Sequence, residues 1–383
     1  MSVEQLLGLI PEKHLEFLST ETKVDHQVKK LTGVVIFKLV LFSMLSSQKV
    51  SLRVMESILQ SARFKQFAGI DEVNAKYNSI RDRICTINAD FFKQLFETVF
   101  ELYNKELKEA KAISKADSTY VSIAASLVDW NMRNGHITSR RHVKYSVTMK
   151  GSLPCNVKVY TEKKFISESI ALGDLLNDST YLKESVVVFD RGLTARKSFE
   201  NLTNNNVHFV GRCQLNYRCI VQRILPITDK PQSSNLTIEK DEIGFLIDEN
   251  EKQTTYQYRI ISATIDQTGE AICFITNLLD ENAYTIAATY KERWGIEVFF
   301  KFIKQHLNVN HLVVRKKNGI EVMLYMTMIA AILILVFKKQ NKIKGYKIAK
   351  LKFEIQLDNL LIKEIVTLCG GNPDKASHLW NTS

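Results

Sequence analysis

Val186-Val187-Val188-Phe189-Asp190-Arg191-Gly192 is a run of four apolar residues that ends at a carboxylate, a cation and a glycine. An apolar run without alternation suits a strand buried on both faces, and such strands lie in sheets covered by helices on each side. In open α/β sheets, ligands and catalytic groups gather at the carboxyl ends of the strands, so position alone makes Asp190 a candidate site residue. An Asp at a strand end is also an ordinary turn former or helix cap. Its surroundings have to decide.

Upstream, Ile113–Tyr120, Val143–Lys150 and Asn156–Thr161 are short and rich in β-branched or apolar residues, with Gly151 and Pro154 punctuating the second gap. Asp117 lies in the first of them, within AISKADSTY. Leu172–Leu182 and Gly192–Asn204 read as helices, and Val207–Val210 as a further strand. Three strands, helix, strand, helix, strand describes an α/β domain, a mixed sheet flanked by helices. Residues 212–271 read as a β-rich insertion: Thr254–Ile265 alternates, Gln267–Glu270 turns, and Ala271–Asn277 is a strand, with the polar stretch Asp229–Leu236 before them.

Further out the pattern is helical. Leu31–Leu45 is apolar almost all round, and Phe91–Leu107 repeats its apolar positions every three or four residues. Ser51–Ala68 reads as one helix carrying Arg53, Arg63 and Lys65, a candidate DNA-contacting helix that no turn signature fixes. Val322–Phe337 is uncharged over 16 residues, short of the roughly 20 that a membrane span needs, and reads as a core helix. Ile348–Leu368 is amphipathic enough for a dimer helix or a core helix. The expected divisions are 1–110 (an α-helical N-terminal domain), 111–211, 212–271, 272–352 and 353–383.

Composition narrows the function. The chain has 383 residues and a net charge of +11, with no basic and apolar leader pattern at Met1–Pro11. Its six cysteines form no Cys-x-x-Cys and no zinc spacing, which suits reduced thiols in a cytosol and excludes disulfide and zinc-ribbon scaffolds. Residues 1–110 hold 15 basic and 14 acidic side chains, whereas residues 290–352 hold 14 basic and 3 acidic. The excess thus corresponds to one stretch, and nucleic acid is the polyanion such a stretch commonly attracts.

That stretch opens with Tyr290-Lys-Glu-Arg293-Trp-Gly-Ile-Glu297-Val-Phe-Phe-Lys301-Phe-Ile-Lys304. At about 100° per residue, Tyr290, Arg293, Glu297 and Lys304 share a stripe roughly 60° wide on a continuous helix, with Glu292 about 140° from Glu297. Arg293 and Glu297 also have the spacing of a plain helix-surface ion pair. An acid flanked by phosphate-binding cations suits a metal that must face DNA.

The pattern Tyr-x2-Arg-x3-Glu-x6-Lys, behind a Phe-Asp-Arg-Gly strand end and a Lys-Ala-Asp-Ser strand, resembles the DDE transposases of bacterial insertion sequences. It is most similar to the insertion-sequence-four family, over roughly Ile113–Phe337. The resemblance implies a ribonuclease H-like fold in which Asp117, Asp190 and Glu297 bind two Mg2+ ions, with Mn2+ as a substitute. It implies double-stranded DNA as partner (terminal inverted repeats and target DNA), a homodimer in the DNA complex, and no membrane. Tyr290, Arg293 and Lys304 would then contact DNA. Arg191 and Arg212 match basic positions of the family, and the basic turn Arg133, His136, Arg140, Arg141, His142 and Lys144 suits backbone contact. Tyr217, Tyr256 and Tyr258 are candidate base-flipping wedges with nothing to select among them, while Trp130, Trp294 and Trp380 read as core. Two rivals stay open: a ribonuclease H-like nuclease without strand transfer, and a domesticated transposase that only binds DNA.

Overall fold

The computed structural model describes residues 1–47, 49–71, 73–107, 113–124, 140–177, 182, 185–215, 217–248 and 250–376. Among these, helices come first: α1 (Val3–Gly8), α2 (Glu12–Glu21), α3 (Gly33–Ser46), α4 (Leu52–Gln60), α5 (Ala62–Ala68), α6 (Tyr77–Thr86) and α7 (Ala89–Leu107). Then follow β1 (Ser114–Ala124), β2 (Arg140–Lys150), β3 (Leu153–Tyr160), α8 (Glu168–Leu176), β4 (Val186–Phe189), α9 (Arg196–Asn204) and β5 (His208–Cys213). Next are β6 (Cys219–Ile224), β7 (Leu236–Ile247), β8 (Gln253–Ile265) and β9 (Ala271–Thr276). The last helices are α10 (Ala283–Lys291), α11 (Trp294–His306), α12 (Lys317–Gln340) and α13 (Tyr346–Leu368). They form two compact units, Met1–Lys108 with Lys301–Ser383, and Glu109–Phe300.

In the helical unit, α12 packs against α3, α6, α7 and α13. By length and composition α12 could cross a membrane, but its residues from Leu324 to Phe337 are buried against these neighbours, as a core helix requires. The stretch Ser51–Ala68, expected as one helix, breaks at Ser61. That residue is extended, donates its hydroxyl to the Ile58 carbonyl at 2.7 Å and accepts from the Phe64 amide at 3.2 Å. Serine competes with the helix for backbone partners in this way, ending α4 and capping α5.

The other unit is built on one sheet in the order β3-β2-β1-β4-β5-β9-β8-β7-β6. β1, β4 and β5 run parallel, and the remaining pairs are antiparallel. This mixed sheet, flanked by helices and preceded by a helical region, is consistent with the expected ribonuclease H-like fold. β4 has no solvent face. Val187 and Phe189 join Leu172, Leu175, Phe199 and Leu202 of α8 and α9 on one side, whereas Val188 joins Ile286 and Ala287 of α10 on the other. The rings of Phe189, Phe199 and Phe209 stack at centroid distances of 5.4–6.1 Å. Gly211 admits this stack, because a Cβ there would lie 2.3 Å from the Phe189 ring. The β-rich stretch 212–271 falls in the chain between the paired strands β5 and β9, and its strands β6, β7 and β8 extend the same sheet beyond β9. Arg259 of β8 forms a buried bidentate pair with Asp241 of β7 at 2.6 and 2.7 Å and donates to the Leu279 and Glu281 carbonyls, which pins this extension to the start of α10.

Candidate active site

The sheet register brings two aspartates together. β1 and β4 are parallel with Ala116 opposite Phe189, so the next residues, Asp117 and Asp190, stand side by side where β4 ends. The backbone of the next residue holds Asp190, whose Oδ1 accepts from the Arg191 amide at 2.7 Å. Asp117 Oδ1 accepts from the Ser118 amide at 2.7 Å, and its side chain is 19% exposed. Burial pushes the Asp117 pKa up to about 6. The Ser118 amide and the Arg293 charge pull it down, while Glu168 and Asp190 push it further up.

The third acid arrives from the helices that follow β9, a strand two places from β4 in the sheet. Asn282 caps α10 by accepting from the Tyr284 amide at 2.8 Å, and Tyr284, Ile286 and Ala287 bury the helix against the sheet. The expected continuous helix through Tyr290–Lys304 is broken: α10 stops at Lys291 and α11 starts at Trp294. Across the junction the bonds run from Glu292 to Thr289, Arg293 to Tyr290, Gly295 to Glu292 and Ile296 to Arg293. Such i→i−3 bonds wind the chain at 3.0 residues per turn, so angles computed for an uninterrupted α-helix do not apply. Gly295 allows the junction to approach β1, since a Cβ there would meet Lys115 at 3.3 Å.

Contacts settle what the angles cannot. Tyr290 directs its hydroxyl to Asp190 Oδ1 at 3.5 Å, the outer limit of a hydrogen bond. Arg293 Nη1 pairs with Asp117 Oδ2 at 3.3 Å, and Nη2 pairs with Glu297 Oε1. Asp117, Asp190, Tyr290, Arg293 and Glu297 therefore form one linked group drawn from β1, the β4 end and the α10–α11 junction. Burial pushes the Tyr290 hydroxyl up to about 12, with the Asp190 charge adding to it. Burial opposes the Arg293 charge, but the bond to Glu297 and the nearby Tyr290, Glu297 and Asp190 outweigh it and raise its pKa.

Other sequence candidates fall elsewhere. Arg212 pairs with Glu270 at 2.8 Å, and with Arg191 it lines a cavity of about 470 Å³. Lys304 belongs to the helical unit and is half-buried, which lowers its pKa. Trp294, expected in the core, is 64% exposed at the edge of a cavity of about 710 Å³ that Phe274, Tyr284, Tyr290 and Arg293 also line. Its position in the junction, rather than on a packed helix face, explains the difference. Tyr258 is fully buried and so is no wedge; Tyr217 and Tyr256 donate to the Thr194 carbonyl and to Asn204. Arg133, His136, Trp130 and Trp380 lie outside the described residues. Arg140 and Arg141 open β2, on which His142 also lies, its ring edge-on to Tyr120. Lys144, counted with the basic turn suited to backbone contact, is fully buried on the strand β2 with Glu168 at 2.9 Å. Glu168, whose charge reaches Asp117, was not a sequence candidate; an acid in the first turn of a helix ordinarily serves the helix dipole.

Among the described residues, no three Asp, Glu, His or Cys side chains are grouped so as to hold a metal ion. The positive charge shared by Asp117 and Glu297 is the Arg293 guanidinium. By residue type alone the acids Asp117, Asp190 and Glu297 suit a hard divalent cation, since they offer carboxylate oxygens and no imidazole or thiolate.

A family model described as "Transposase DDE domain" matches residues 116–333, and one for a domain of unknown function matches residues 1–68. The chain is 25% identical over 271 residues to a probable transposase for insertion sequence element IS5377 of Geobacillus stearothermophilus, covering 70% of this chain and 68% of that protein. It is 26% identical over 246 residues to a putative transposase for insertion sequence element IS4SA of Synechocystis sp., covering 62% and 65%. A third match, to a putative transposase of Sinorhizobium fredii, is 37% identical over 75 residues, 20% of this chain and 21% of that one. The chain thus spans about two thirds of the length of the first two relatives.

Proposed function

Because the chain belongs to the transposase DDE domain family, we propose that it cuts the ends of an insertion sequence and joins them to target DNA, with Asp117, Asp190 and Glu297 as the catalytic acids. The observation that carries this reading is the convergence of those acids: the β1–β4 register sets Asp117 beside Asp190, and Arg293 ties Asp117 to Glu297. The family implies metal-dependent catalysis, and these three carboxylates are the residues that would hold Mg2+ or Mn2+. Two such ions, when bound, supply activation of the attacking water or 3′-hydroxyl and stabilisation of the leaving oxygen.

The chain's own groups do the rest. Tyr290 orients the Asp190 carboxylate, and Arg293 keeps Asp117 and Glu297 together without letting two like charges repel. Arg293 and Lys304 of the Tyr/Arg/Glu/Lys signature grip phosphates beside the scissile bond when DNA is bound, and Arg191 and Arg212 hold the backbone further out. Phosphate contacts of this kind set register without reading sequence. Residues 1–110 serve end recognition, residues 353–383 serve pairing of two protomers, and two element ends are processed by a homodimer.

The test replaces each acid by its amide, which keeps size and removes the charge that holds a cation. Asp117→Asn, Asp190→Asn and Glu297→Gln should each lose cleavage of end-containing DNA in Mg2+ while binding that DNA as wild type does. A Glu297→Gln protein that nicks at the wild-type rate refutes the assignment of the third acid.

A further inference from the structure

A fourth acid, Glu168, lies close enough to this group for its charge to act on Asp117. Glu168 opens α8. Its Oε2 pairs with Lys144 Nζ at 2.9 Å. Lys144 is fully buried, donates also to the Ile166 carbonyl at 2.9 Å and lies over the Tyr120 ring at 4.9 Å, so the ammonium is fixed from three sides. Glu168 Oε1, by contrast, is buried with no hydrogen-bond partner among the described residues. A carboxylate oxygen left so costs free energy comparable to a lost hydrogen bond, and a native structure keeps one only for a reason.

Two further observations connect this side chain to the site. The side chain packs on Gly192, where a Cβ would lie 2.4 Å from Glu168 Cγ, so the turn after Asp190 closes directly onto Glu168. Its charge also acts on Asp117. Glu168 therefore touches the loop of one catalytic acid and biases the other, while Lys144 holds its Oε2.

We propose that Glu168, anchored by Lys144, is a positioning residue of the Asp117–Asp190 site that sets the Asp190 turn through Gly192 and adds negative charge for a divalent cation. This rests on the transposase reading, since it takes Asp117 and Asp190 as the cation's ligands. A plain ion-pair role makes a different prediction: Glu168 would matter only for neutralising Lys144.

The discriminating variant is the double substitution Glu168→Gln with Lys144→Met, which keeps the volume against Gly192 and leaves no unpaired buried ammonium. Mn2+ affinity of the full-length chain, without DNA, is measured by counting free Mn2+ by electron paramagnetic resonance, with melting temperature and end-DNA nicking alongside. The expected result is a melting temperature close to wild type, Mn2+ affinity lower by about 10–100-fold and slower nicking, the range that outer-sphere partners of metal sites command. Wild-type Mn2+ affinity and nicking in the folded double variant would overturn the proposal and leave Glu168 as the partner of Lys144 alone. Asp117→Asn runs in parallel: if it too binds Mn2+ as wild type does, the failure lies with the assignment of the acids, whereas its loss of affinity confines the failure to Glu168.

Discussion

Replacing Asp117 by Asn should abolish cleavage and, at neutral pH, make the protein more stable. The Asp117 pKa is raised to about 6 in the folded chain from an ordinary value of 3.8, chiefly by burial. A raised carboxylate pKa means that the folded state holds its proton more tightly than the unfolded state, so ionisation destabilises the fold. Below about pH 4 both states are protonated, and wild type and variant should be nearly equal. Between about pH 4 and pH 6 the unfolded chain ionises first and wild type loses ground; above about pH 6 the gap is complete. At about 1.4 kcal/mol per pH unit the gap is roughly 3 kcal/mol, a figure that already contains the pull of Arg293. The Asn oxygen can still accept from the Ser118 amide, so little else changes. Urea denaturation of both proteins in EDTA, from pH 4 to pH 8, measures the gap directly. A gap independent of pH, or a variant less stable at pH 7.5, would refute the view that Asp117 is a charge held at a cost in stability for the sake of the site.

Arg293→Ala and Lys304→Ala should each lower the slope of log affinity for end DNA against log salt by about 0.9, measured with Ca2+ in place of Mg2+; for Arg293 an unchanged slope would confine it to holding Asp117 and Glu297. Asp241→Ala strands the buried Arg259 guanidinium and should cost about 3–5 kcal/mol by chemical denaturation, whereas a loss under 1 kcal/mol would mean that the Leu279 and Glu281 carbonyls alone satisfy it.

The parts of the fold legible in the sequence are those where one local signal dominates. Val186–Phe189 is legible to the residue because a strand covered on both faces must be apolar throughout. β6 and β7 passed unseen for the opposite reason: Cys219–Ile224 is mostly exposed and Leu236–Ile247 carries Glu239, Lys240, Asp241 and Glu242, so neither shows the alternation of a half-buried strand. Only pairing in the sheet reveals them. Among the proposed acids, Asp190 stands out at a strand end and Glu297 in a spaced motif, whereas Asp117 lies inside β1. The Arg293–Glu297 contact is the i, i+4 pair that the spacing offers, whereas the Arg293–Asp117 contact joins residues 176 positions apart and carries no local signal. Ser61 hid a break in the same way, its hydroxyl doing what no apolar periodicity records. Glu168 carried no signal at all, since its significance lies in Gly192 and Lys144, residues 24 positions away on either side.

The helical unit is discontinuous in the chain, and this governs the order in which a ribosome can complete it. α3 and α7 bury their apolar faces against α12, which ends at Gln340. When α7 has emerged, more than 200 residues remain to be made before α12 is whole, an interval of about 10–50 s at roughly 5–20 residues per second. Every residue of the sheet unit is translated inside that interval. The carboxylate scaffold can therefore fold first, while the N-terminal helices wait with apolar surface exposed, open to chaperone capture until their central helix arrives.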